Sequence, residues 1–75
     1  MRKNVDILAL MKKEGKLLPQ QLIWEDGRKF NIDRVLDIRP AASTKGGGMG
    51  IRYLCRIGNK ERYLFLDKYI WFVEI

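Results

Sequence analysis

Arg52, Arg56, Tyr63 and Phe65 are the residues whose types and spacing could do chemistry together. Arg52 and Arg56 fall on one parity of an alternating segment, and Tyr63 and Phe65 on one parity of the next. Gly58-Asn59 between them is hairpin-turn chemistry. A loop of two residues puts Glu61, Tyr63 and Phe65 on the face of Arg52 and Arg56. Lys60, Arg62, Leu64 and Leu66 then share the face of Tyr53, and one further loop residue exchanges the two sets. The first register sets guanidinium groups for phosphate beside rings for base stacking, as small barrels do when they hold single strands. The rival reading makes Tyr63 and Phe65 core residues, or members of a second small core closed by Trp71 and Val73.

The run Pro40-Ala-Ala-Ser-Thr-Lys-Gly-Gly-Gly-Met-Gly50 is the other candidate, because it has no packing pattern of its own. It reads as a flexible glycine-rich loop at 40–50 between two strands. Ser43, Thr44, Lys45 and the backbone N–H groups would be its donors to a polyanion. It matches neither phosphate-binding motif: Lys45 precedes the glycines, and a strand follows where those motifs require a helix N-terminus. The plainer reading is a connector between two sheet edges.

Missing residue types narrow the field further. The chain has no histidine, which removes His-based triads, the commonest general base and most zinc sites. The single cysteine, Cys55, alternates with Tyr53 and Ile57 and reads as a core thiol with no base to activate it. The carboxylates are scattered, mostly beside basic residues at turns, as in Glu25-Asp26 and Asp33-Arg34. No enzyme, metal, cofactor or small-molecule substrate is expected.

Seventy-five residues allow one domain, and a composition of 47% hydrophobic and 32% charged side chains suits a folded one. A lone thiol points to a reducing compartment, hence a cytoplasmic location. Asp6 interrupts any signal-like start, and no apolar run approaches a membrane span. The net charge of +6 is concentrated in the middle of the chain, around the glycine run, and suits either a solvated face or a polyanion partner.

The elements that must position these residues read as strands throughout. Val5, Ile7, Ala9 and Met11 alternate with Asp6, Leu8 and Leu10. Asn4 and Gly15 could bound a helix there, but the segment is short and its neighbours pattern as strands, so strand is preferred. Glu14-Gly15 then makes a turn, and Pro19 marks an interruption or an edge. Asp26-Gly27 between apolar runs predicts a two-residue hairpin in which Glu25 faces Arg28, Trp24 faces Lys29 and an inward Ile23 faces Phe30. The pattern shift after Ile32 predicts a bulge or bend near Asp33-Arg34. Asp67-Lys68 turns the chain into a last apolar strand, Tyr69 to Val73. The expected fold is all-β: a small single-domain antiparallel SH3-like barrel of five or six short strands, spanning 1–75.

The span Ile23 to Ser43, together with Gly50 to Ile57 and Trp71 to Glu74, resembles a group of small uncharacterised strand-rich proteins of Gram-positive bacteria. The resemblance implies a strand-rich fold and carries over no functional residue. Two expectations follow. One is a nucleic-acid-binding module using Ser43, Thr44, Lys45, Arg52, Arg56, Tyr63 and Phe65. The other is a protein-interaction or homo-oligomeric module using an open sheet edge or an aromatic patch around Trp24 and Trp71.

Overall fold

The structure, a computed structural model, describes residues 1–42 and 49–74. Among the described residues there are eight strands and no helix: β1 (Arg2–Asn4), β2 (Asp6–Met11), β3 (Leu17–Ile23), β4 (Lys29–Asn31), β5 (Arg34–Ala42), β6 (Met49–Ile57), β7 (Lys60–Asp67) and β8 (Ile70–Glu74). They form two antiparallel sheets, of order β1-β8-β7-β6-β5 and β2-β3-β4. Residues 6–11 are therefore strand, as the alternation indicated.

Two bends carry the chain between the sheets. β1 passes into β2 through Val5, whose N–H donates to the Trp71 carbonyl at 3.0 Å. β4 passes into β5 through Ile32 and Asp33. The Ile32 N–H bonds the Gln20 carbonyl of the smaller sheet, and the Asp33 N–H bonds the Arg56 carbonyl of the larger, both at 2.9 Å. The bend expected near Asp33-Arg34 is this sheet change. Because the ladders break at both bends, the segments number eight instead of the expected five or six.

Inward residues of both sheets meet in one core of Leu22, Tyr53, Cys55, Leu64 and Leu66, with Val35, Ile38 and Trp71 packed against it. Pro19 is fully buried within β3, beside a register slip. Leu8 pairs with Gln21 and Ala9 with Pro19, so Gln20 is the extra residue of a bulge. At Pro19 only β2 pairs with β3, since β4 reaches no further than Gln21. A residue without an N–H fits there because the other side of the strand has no ladder to complete.

The first hairpin corrects the sequence reading by one residue. Ile23 pairs with Lys29 and Leu22 with Phe30, and the Gly27 N–H bonds the Trp24 carbonyl at 2.9 Å. The loop is thus the three residues Glu25-Asp26-Gly27, with only Gly27 at positive φ (89°). A two-residue type I′ turn would force Asp26 there as well, whereas this loop leaves the strained position to glycine alone. Asp26 instead accepts the Arg28 N–H at 3.0 Å and its guanidinium at 2.6 Å. The backbone bond holds the Asp26 carboxyl below its ordinary pKa. Glu25, expected opposite Arg28, pairs with the Lys3 ammonium at 2.5 Å.

Candidate nucleic-acid interface

The second hairpin decides which residues share a face, and its loop has two residues. Ile57 pairs with Lys60 across Gly58-Asn59, and Gly58 takes φ 63°, as the first position of a II′ turn requires. Asp33 Oδ2 accepts the Gly58 N–H at 2.9 Å, fastening the turn to the inter-sheet bend. Arg52 then lies opposite Phe65, Leu54 opposite Tyr63 and Arg56 opposite Glu61. The alternate set, Tyr53, Cys55 and Leu64, is buried against the smaller sheet. All four residues singled out on these strands therefore occupy the outer face of the larger sheet.

Their exposures differ. Tyr63 is 48% exposed, with the Arg52 guanidinium carbon 4.6 Å from its ring centroid. This cation–π contact leaves much of the ring open. Phe65 is only 7% exposed. It stacks on Phe72 with centroids 5.2 Å apart and planes 9° apart, and the Arg2 guanidinium carbon lies 4.0 Å over the Phe72 ring. Phe65 thus supports the face and presents no ring for stacking. Of the pair anticipated in a second small core, only Phe65 is buried on this side, against Phe72, while Tyr63 is exposed and Trp71 and Val73 pack on the main core.

β5 adds what the sequence reading missed. Arg34 pairs with Arg56 and Arg39 with Arg52, so two like-charged pairs face each other across one ladder. Directly opposed like charges destabilise a sheet. Arg39 bonds Asp37 at 2.7 Å and Arg56 bonds Glu61 at 3.2 Å. Arg34 and Arg52 have no carboxylate partner among the described residues. In an unbroken strand Arg34 and Arg39 would point to opposite faces. The register slip between Val35 and Asp37, with Leu36 as the extra residue, brings them to one side. The only hint in sequence was the broken alternation after Ile32.

Strand residues occupy both ends of the span expected as a loop at 40–50. Pro40, Ala41 and Ala42 continue β5, and Met49 and Gly50 begin β6, paired as Pro40 with Ile51, Ala41 with Gly50 and Ala42 with Met49. β5 is an edge strand, where proline needs no second ladder. Gly50 is glycine for lack of room: a Cβ there would lie 2.4 Å from the Leu66 carbonyl oxygen. Ser43, Thr44 and Lys45 lie outside the described residues.

Trp24 and Trp71 are both half-buried. Both pack against the core, Trp71 with its ring 5.2 Å from that of Tyr53. Cys55 is fully buried, and desolvation pushes its thiol up to about 11. No group of His, Cys, Asp and Glu among the described residues could hold a metal ion. No helix among them is long and apolar enough to cross a membrane. No protein-family model matches the chain, and no match was found among curated proteins or solved structures.

Proposed function

We propose that the chain is a small non-enzymatic binding module of SH3-like barrel type that holds single-stranded nucleic acid on the outer face of its larger sheet. The observation that carries this reading is the opposition of Arg34 to Arg56 and of Arg39 to Arg52 beside an exposed Tyr63 stacked under Arg52. Such an arrangement costs stability in the free protein and is relieved when phosphates intervene. Tyr63 offers a base a flat partner, and the guanidinium plane of Arg52 extends it. The two continuous bends through Val5 and Ile32-Asp33, which join the sheets edge to edge, favour the barrel assignment. Ser43, Thr44 and Lys45, next in the sequence after β5, stay in the proposed donor set for their side-chain chemistry.

A titration of labelled oligothymidylate at several salt concentrations tests the reading. Affinity falls as salt rises, with a slope of about −0.7 for each phosphate neutralised. Substituting Arg34, Arg52 and Arg56 together by glutamine flattens that slope. Tyr63→Ala weakens binding by about 1–3 kcal/mol at every salt concentration. Binding indifferent to salt and to the triple change would discard the proposal.

A further inference from the structure

A second site lies on the opposite side of β7, in a groove lined by residues of both sheets. β7 pairs with β8 only through Phe65–Phe72, Leu66–Trp71 and Asp67–Ile70, while β8 runs on beside β1 through Val73–Lys3 and Glu74–Arg2. Lys60 to Tyr63 therefore have a β6 ladder on one side and none on the other among the described residues. In an antiparallel ladder alternate residues direct their N–H and C=O to one neighbour. Since Lys60 closes the turn with Ile57 and Phe65 pairs with Phe72, the backbone groups of Glu61 and Tyr63 face the open side.

Beside this edge is a groove of about 660 Å³. Its floor is apolar, formed by Leu22, Trp24, Phe30, Leu64 and Val73, and the cations Arg28, Lys60 and Arg62 and the carboxylates Glu61 and Glu74 stand around it. Arg28 is engaged by Asp26, and Glu61 is drawn to Arg56 on the outer face. Lys60 and Arg62 have no carboxylate partner among the described residues, although both lie on the core-facing side of the sheet. Two unpaired cations at the rim of an apolar groove are complementary to a partner carrying both carboxylates and apolar side chains.

We propose that this groove binds an extended acidic peptide, which adds a strand to β7 at Glu61 and Tyr63, lays an apolar side chain on Trp24 and Phe30, and places carboxylates on Lys60 and Arg62. Three features choose this occupant. The edge offers carbonyls as well as N–H groups, which matches a peptide backbone and repels a phosphodiester. A second copy of the chain would bring a net charge of +6 against the same cations. A neutral apolar strand would leave Lys60 and Arg62 without partners.

The test uses the intact chain and a fluorescein-labelled peptide of glutamate, leucine and valine (EELEVELE), followed by fluorescence anisotropy and amide NMR. Binding is expected to shift the amides of Glu61 and Tyr63. N-methylation of every second peptide amide, or the pair Lys60→Glu and Arg62→Glu, is expected to weaken it at least about tenfold. Circular dichroism of the double variant verifies that the sheet persists. Undiminished binding of the N-methylated peptide would overturn the proposal, as would shifts confined to Arg34 and Arg52 or displacement of the peptide by oligothymidylate.

Discussion

The Tyr53 hydroxyl donates a 2.7 Å hydrogen bond to the Leu17 carbonyl, fastening β6 of the larger sheet to β3 of the smaller one. Tyr53 is otherwise a core residue, 2% exposed and packed against Trp71. Removing the hydroxyl leaves the Leu17 carbonyl without this partner. Tyr53→Phe is expected to lower stability by about 1–2 kcal/mol. In thermal denaturation that appears as a drop in Tm of about 4–8 °C per kcal/mol. An unchanged Tm would show that the bond contributes nothing net.

Gly50→Ala tests the close approach of β6 to the end of β7. The new methyl would meet the Leu66 carbonyl oxygen, a backbone atom that cannot swing aside. A loss of about 2–3 kcal/mol is expected in urea denaturation. A mild effect would mean that the hairpin following Leu66 yields easily.

Arg34→Gln separates stability from binding. It removes one member of the Arg34–Arg56 opposition while leaving the Arg56–Glu61 pair intact. The variant should gain a few tenths of a kcal/mol in stability. Its salt slope for oligothymidylate should become shallower. A variant that is both less stable and equally avid would count against the reading of this face.

Cys55 and Tyr53 make stability sensitive to alkali. Burial raises both pKa values, the thiol from 9.0 to about 11, so the folded state holds these protons more tightly than the unfolded chain. The thiol's contribution is complete below pH 9 and is lost as pH rises through about 11, amounting to roughly 2–3 kcal/mol. Urea midpoints measured from pH 8 to pH 11 should fall accordingly. At neutral pH a thiol reagent should label Cys55 only in denaturant, and rapid labelling of the native protein would contradict the burial.

Much of this architecture was legible in the residues alone, because local alternation and turn chemistry are sufficient to specify it. Tyr53, Cys55 and Ile57 alternating with Arg52, Leu54 and Arg56 required a strand with one inward face, and Gly58-Asn59 required a reversal. What stayed open depended on counting. The loops Gly58-Asn59 and Glu25-Asp26-Gly27 differ by one residue, and that residue inverts every side chain beyond it. Tertiary contacts settled the count: the bond from Gly58 to Asp33 holds one turn, and Gly27 alone takes the strained conformation in the other. The extra residue at Leu36 is likewise invisible to a period of two, yet it gathers Arg34 and Arg39 beside Arg52 and Arg56. Composition determined that the chain is basic and strand-forming. Only the packing of one sheet on the other, which covers one face and leaves the other to water, decided where that charge is displayed, and on that open face the stacking of Phe72 hides Phe65 while Tyr63 stays exposed.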